Sequence, residues 1–337
     1  MSAVLRKRNK PPVFESSNQN DASLPSYEEF FSERRTVSID EGDDFCVHIA
    51  GDVADAGYVF VLLHGAGQNS LSFALFVAAL QRQLPNAAAI AIDLRAHGLT
   101  RTADETDLSL TQMCDDVRNV LSQILPNQRV RLVLVGHSAG AAFATRLAGE
   151  TGSRLALNIA PHTITALIVF DAVEEAAIES LAETQQLLAT RPTLFESVAA
   201  AATWCVHTAQ LPRNAASAAV SVPNQLSCEK ANLYTWRTPL ADVLREFAPE
   251  WFRGMSDDFL RARVPKLLVL AAPTDSVHGG AERLDAKLTV GHMQVCSIVW
   301  RFCNHSYSAM CRARFSWCFV AAATPCTKMR LVKYRLR

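Results

Sequence analysis

The sequence lacks several things, and each absence excludes something. Neither charge is in excess, since 33 Lys and Arg stand against 33 Asp and Glu. No whole-chain field therefore favours nucleic acid or a membrane surface as partner. No apolar run approaches the roughly 18–20 residues of a transmembrane helix. The opening stretch, MSAVLRKRNKPPVFESSNQNDASLPS, carries basic residues but no apolar core of a secretory signal. Residues 1–25 are expected to form a disordered tail, and the protein to be cytosolic (cytoplasmic) or nuclear. The cluster Arg6-Lys7-Arg8 is either part of that solvated tail or a targeting signal. Metal-ligand spacing is missing as well. Cys46, Cys114, Cys205 and Cys228 are the four cysteines of the first 290 residues, and they read as reduced, mostly buried thiols. No motif calls for a metal or a cofactor.

Acid is absent from the last 47 residues, 291–337, whereas all 33 Asp and Glu precede them. That stretch holds eight Lys and Arg and five cysteines: Cys296, Cys303, Cys311, Cys318 and Cys326. The composition changes abruptly near Gly291, so 291–337 is set apart as a divergent C-terminal segment.

What is present is an alternation of strand-like and helix-like segments, which argues for a mainly parallel sheet with crossover helices. RRTVSIDEG and FCVHIAGD form an expected antiparallel opening pair. YVFVLLHGAG, AAIAIDLRAHG, RVRLVLVGHS, ITALIVFDAV and PKLLVLAAP read as buried strands. SLSFALFVAALQRQL has helical spacing, and LSLTQMCDDVRNVLSQIL aligns Leu110, Met113, Val117, Val120, Leu121 and Ile124 on one helical face. About ninety residues between Asp171 and Pro265 show no convincing buried strand and carry Trp204, Trp236 and Trp251. An insertion of that size at the C-terminal ends of the strands is read as a helical lid, about 172–264. No internal repeat is visible.

The chemistry-bearing segment is LVLVGHSAGAA, residues 132–142. In a strand–G-x-S-x-G–helix context the serine occupies a sharp strained turn, with Oγ projecting above the sheet. Ser138 is therefore the candidate nucleophile; the plain alternative is a strand-to-helix turn with a structural serine. A developing oxyanion needs N–H donors from the residue after the nucleophile and from a loop after an earlier strand. Ala139 and Ala66, the latter in HGAG (His64 to Gly67), are the candidates. An orienting acid belongs at the end of a later strand. Asp171 ends ALIVFD and Asp275 follows LLVLAAPT, and spacing alone does not choose between them. His97 and His137 flank turns and read as structural.

With these residues placed, the chain resembles the protein phosphatase methylesterases. These are α/β hydrolases that remove the methyl ester from the C-terminal leucine of the protein phosphatase 2A catalytic subunit. The resemblance runs from Ser26 to Gln294 through SYEEFFSE, LLHGAGQNSLSF, AIDLRAHGLT, LVGHSAGAA, IVFDAVEEAAIESL, LLATRPTLFES, AATWCVHTAQL, LYTWRTPL, WFRGMSDDFL, PKLLVLAAPTD and LTVGHMQ. YTWR and WFRGMS lie in the lid and are not general features of α/β hydrolases. The resemblance implies an α/β-hydrolase domain over 26–290, no cofactor, no metal, and the phosphatase catalytic subunit as partner. It also implies that the acid lies in a D-x-V-E segment, which matches FDAVEE and favours Asp171. HGAG departs from the family's H-G-G-G, but alanine still supplies a backbone N–H.

The base is where the resemblance breaks. After G-x-M-Q the family has a final strand, then C-G-H, a short acidic run and a closing helix. Here GHMQ leads into CSIVWRF, a possible strand, and Cys303-Asn304-His305 echoes C-G-H at nearly the family distance; nothing beyond it matches. Two readings stay open. Either the ending is native and His305 is the base, or the tail comes from a shifted reading frame or retained intron and the catalytic histidine is absent. The expected function is a serine hydrolase for a protein methyl ester. The alternatives are a small-molecule carboxylesterase and a non-catalytic phosphatase-binding protein.

Overall fold

The computed structural model describes residues 13–14, 24–150, 162–208, 212, 214–228 and 233–269. All of them belong to the first of two units, Met1–Trp300; the second, Arg301–Arg337, contains no described residue. Asp275, His305, CSIVWRF and the rest of the divergent segment lie outside the described residues.

Seven strands form the main sheet. In chain order they are β1 (Glu33–Ser38), β2 (Asp44–Ala50), β3 (Tyr58–Leu63), β4 (Ala87–Ile92), β5 (Arg131–His137), β6 (Thr163–Phe170) and β7 (Lys266–Val269). Their spatial order is β7-β6-β5-β3-β4-β2-β1. The pairs β1–β2 and β2–β4 are antiparallel, and the other four are parallel. Chemistry explains the difference. Strands β3, β4 and β5 are buried on both faces and therefore read as continuous apolar runs; every residue of AAAIAI in β4 is buried. By contrast the edge strand β1, ERRTVS, buries only Val37 and exposes Arg34 and Arg35, charges that discourage edge-to-edge pairing.

Three helices cover this sheet: α1 (Ala74–Gln83), α2 (Leu110–Ile124) and α3 (Ala139–Gly149). The apolar stripe expected on α2 is the buried one, from Leu110 through Met113, Val117, Val120 and Leu121 to Ile124. The Ser109 side chain caps its start by accepting the Gln112 N–H at 3.3 Å. Helix α3, AGAAFATRLAG, is built of small residues because it lies directly on the sheet. A side chain on Gly140 would place its Cβ 2.1 Å from the Leu63 carbonyl oxygen. Each fully buried aliphatic side chain in this core contributes about 1.5–3 kcal/mol relative to exposure.

The lid insertion divides into two parts. Its later part belongs to the main core, where Trp251 packs edge-on against Phe143 with ring centroids 5.4 Å apart. Its earlier part has a core of its own around Phe195, Trp204, Cys205 and Val222. There the structure differs from the helical expectation, because Leu194–Phe195, Leu226–Cys228 and Tyr234–Trp236 are short strands of a separate sheet. Pieces of two or three residues are too short to show a period of two. Val13–Phe14, inside the stretch expected as a disordered tail, pairs in parallel with Leu194–Phe195 at this sheet's edge. Three of the four early cysteines, Cys46, Cys114 and Cys205, are buried free thiols, and Cys228 is exposed. Burial pushes the Cys114 thiol up to about 12. No helix of the described residues is long and apolar enough to cross a membrane.

Candidate active site

Ser138 is the single residue between β5 and α3, and its backbone is turned to φ 52°, ψ −120°. A non-glycine residue there is strained, and the surroundings hold it in place. Its N–H donates to the Phe170 carbonyl at 3.1 Å, and its carbonyl accepts the Ala141 N–H at 2.9 Å. The flanking glycines are obligatory for close approach. A Cβ on Gly136 would lie 2.2 Å from the Gly140 carbonyl oxygen, nearly the 2.1 Å that a Cβ on Gly140 would make with Leu63. This is the strand–turn–helix context that the G-x-S-x-G pattern requires.

Asp171 stands beside it. Strands β5 and β6 pair in register through His137 and Phe170, so Ser138 and Asp171 are the next residues at neighbouring strand ends. Asp171 is also in a left-handed conformation, φ 52°, and its N–H donates to the Val269 carbonyl at 2.7 Å. The third non-glycine residue of positive φ among the described residues is Ala96, in the loop after β4. All three strained positions follow C-terminal strand ends of the same sheet.

The HGAG loop follows β3 and packs on the elbow. A Cβ on Gly65 would lie 3.2 Å from Ser138 Cβ. Two amides here are already engaged: Gly67 donates to His97 Nε2, in the loop after β4, at 2.8 Å, and Gln68 donates to the Gly65 carbonyl at 3.1 Å. Ala66 is the remaining amide between Gly65 and these two. Ala139 is the first residue of α3, so its N–H has no acceptor within the helix and lies at the positive end of the helix dipole.

Six of the nine histidines are described, and hydrogen bonds define five of them. His64 donates Nδ1–H to the Gly65 carbonyl at 2.8 Å and accepts the Leu94 N–H on Nε2 at 3.0 Å. His97 donates Nδ1–H to the Arg95 carbonyl at 2.7 Å while Nε2 holds Gly67. Burial pushes His64 down to about 4; burial and then the neighbouring His64 push His97 down to about 3. Both are neutral supports. His137 donates Nδ1–H to Gln68 Oε1 at 3.2 Å; burial lowers its pKa, and the Asp171 charge opposes that shift. His48 donates to Ser70 Oγ at 2.8 Å, and that hydroxyl donates to Asp93 at 2.5 Å. His162 accepts the Val130 N–H at 3.3 Å before the start of β6, at the opposite end of the strands from Ser138. His207 is an exposed residue at the end of the lid helix Val198–His207.

Sequence reasoning missed how the lid is fastened to this machinery. Arg237 of YTWR donates Nε–H to the Gly98 carbonyl at 2.8 Å, bonds the Thr100 carbonyl, and pairs with Glu105 at 2.7 Å. Thr238 Oγ donates to the Ala96 carbonyl at 2.8 Å. Leu240 fills the space beside Gly67, where a Cβ would meet its Cδ2 at 2.7 Å. Glu174 of FDAVEE accepts the N–H groups of Gly254 and Ser256, in WFRGMS, at 2.8 and 2.9 Å. The specificity of these strings was the available signal; their connections are not legible in a linear sequence.

A central parallel sheet, a serine at a strained strand-to-helix elbow and an acid at the next strand end define an α/β hydrolase. A model of the alpha/beta hydrolase family matches residues 60–310. Among solved structures, E-2-(acetamidomethylene)succinate hydrolase superposes with a TM-score of 0.60 at 18% identity, covering 79% of this chain and 91% of that one. Sequence relatives are more specific. A probable protein phosphatase methylesterase 1 of Caenorhabditis elegans is 35% identical, over 84% of this chain and 72% of its own. Protein phosphatase methylesterase 1 of Schizosaccharomyces pombe is 33% identical over 82% and 77%, and that of Homo sapiens 31% over 82% and 78%. The chain belongs to the protein phosphatase methylesterase family and, by fold and family, is a carboxylic ester hydrolase.

Proposed function

We propose that this chain removes the methyl ester from the C-terminal leucine of a protein phosphatase 2A catalytic subunit by a serine mechanism. The observation that carries the chemistry is the placement of Ser138, at positive φ, beside Asp171 on adjacent strand ends. The names of the relatives support a protein phosphatase methyl ester as the substrate class. Ser138 Oγ bonds to the ester carbonyl carbon as its proton passes to a histidine. The oxygen that becomes negative is held by the Ala66 and Ala139 N–H groups, at the positive end of α3. Asp171 orients the imidazolium. Collapse breaks the bond to methoxide, which takes the proton and leaves as methanol. Water then repeats the cycle on the acyl-enzyme and frees the carboxylate and Ser138.

The five histidines with defined hydrogen bonds hold loops and strands, which favours a base from beyond Val269; we assign it to His305. Methanol release from the methylated phosphatase subunit is the decisive assay. Ser138→Ala and His305→Ala should each abolish turnover while leaving phosphatase binding intact. Unchanged turnover in His305→Ala would move the base to another residue. The commitment of those five histidines also keeps a second reading in view, a phosphatase-binding protein without turnover. Labelling of Ser138 by a fluorophosphonate, which needs an activated serine, would rule that reading out.

A further inference from the structure

The deeply buried arginines of the described residues are matched with carboxylates. Arg95 pairs with Asp116 and Asp43, Arg118 with Asp115 and Glu150, and Arg237 with Glu105. Arg191, half-buried in the lid string LLATRPTLFES, has no such match. Its Nε is buried without a hydrogen-bond partner, and it forms no ion pair among the described residues. Burial pushes its pKa down to about 10. The ionisable group facing it is Cys205, itself kept a neutral thiol by burial at about 11. Its charge therefore lacks the carboxylate that the more deeply buried arginines have.

What holds it is aromatic. The guanidinium lies 3.7 Å from the Trp236 ring centroid and 5.9 Å from that of Trp204. Trp236 is fixed in turn, because its Nε1–H donates to the Pro192 carbonyl at 2.8 Å and Phe195 meets it edge-on at 5.2 Å. Stacking uses the face of a guanidinium and leaves its in-plane N–H fork available, the arrangement that suits a carboxylate. The platform is also near the ester site. Trp236 lies two residues before Thr238, which bonds the Ala96 carbonyl, and four before Leu240, which abuts Gly67. Four residues span at most about 14 Å, so one short lid segment joins the platform to the residue that abuts the oxyanion loop. If Arg191 were only a spacer in the lid core, charge on a ligand would not matter to it.

We propose that Arg191, on its Trp204–Trp236 platform, is a subsite for an acidic side chain of the peptide that carries the scissile ester, a few residues upstream of it. This rests on the reading of the chain as a peptide methylesterase. The test uses the full chain carrying Ser138→Ala, and fluorescently labelled methyl-ester peptides that move a single Asp stepwise through the residues before the ester. Each peptide is compared with its Asn counterpart. At one position the Asp peptide should bind tighter by on the order of tenfold, as a charge-assisted pair implies. Arg191→Gln should bring its affinity to that of the Asn peptide, and Arg191→Lys should keep part of the preference. Equal affinities at every position, no binding of either series, or a preference that survives Arg191→Gln would overturn the proposal. So would an equal fall for both series in Arg191→Gln, which would mark a packing role. Turnover by the unsubstituted chain is read separately. Cleavage without charge preference sinks only the subsite, and preference without cleavage sinks only the esterase reading.

Discussion

The two neutral histidines beneath the oxyanion loop make stability depend on pH in a calculable way. His64 and His97 sit with ring centroids 5.1 Å apart, fully buried, with values near 4 and 3 against the ordinary 6.5. A second proton on either ring would displace an accepted hydrogen bond, from Leu94 to His64 or from Gly67 to His97. Their folded values lie below the unfolded one, so the unfolded chain takes up protons first as pH falls. Their contribution is complete above about pH 6.5 and is lost progressively below it, down to the folded values. By linkage, each histidine should remove about 2 kcal/mol of stability between pH 7 and pH 5, about 4 kcal/mol for the pair. The sharpest perturbation is His97→Gln, whose amide oxygen can still accept the Gly67 N–H but does not titrate. Urea unfolding at pH 7, 6 and 5, followed by circular dichroism, gives the comparison. Whatever its stability at pH 7, the variant should lose about 2 kcal/mol less than the parent over that interval. Parallel pH dependences in parent and variant would refute the neutral, bonded state assigned to His97.

Other outcomes follow from the same geometry. Ser138→Ala should lose fluorophosphonate labelling while its urea midpoint corresponds to a change within about 0.5 kcal/mol, because Oγ carries no packing role. Gly140→Ala should destabilise by about 1–3 kcal/mol or more, read as a fall in melting temperature, since its methyl would meet the Leu63 carbonyl at 2.1 Å. Arg237→Ala should cost roughly 1–3 kcal/mol by releasing two carbonyls and Glu105. It should also speed amide hydrogen exchange across residues 96–105 and slow Ser138 labelling; unchanged exchange there would show that the clamp is idle.

The sheet was legible because its strands are buried on both faces and appear as unbroken apolar runs, as in AAAIAI and RLVLVGH. Helix α2 was legible from its stripe, and the elbow from two glycines whose spacing has a steric cause. The lid was only half legible. Its two- and three-residue strands carry no period, and nothing in the linear order of Trp204, Trp236 and Trp251 says that the third belongs to a different core. His97 shows the limit most clearly. Its place beside a turn suggested a structural role, but that it accepts the Gly67 amide depends on two loops 30 residues apart meeting at 2.8 Å.

The clamp of Arg237 on the loop after β4 also bears on how such an enzyme changes its substrate over evolutionary time. A lid attached only by its two chain ends could be exchanged for another with little regard for the rest. This one grips Ala96, Gly98, Thr100 and Glu105 through Arg237 and Thr238, and touches Gly67 through Leu240. The smallest block that can be grafted intact is therefore discontinuous: the lid strand Tyr234–Trp236 with the residues up to Leu240, together with the 96–105 loop it grips. A chimera that swaps the lid alone would inherit an arginine without its carbonyls or carbonyls without their arginine. New specificity in this architecture has to arrive as matched pairs of segments.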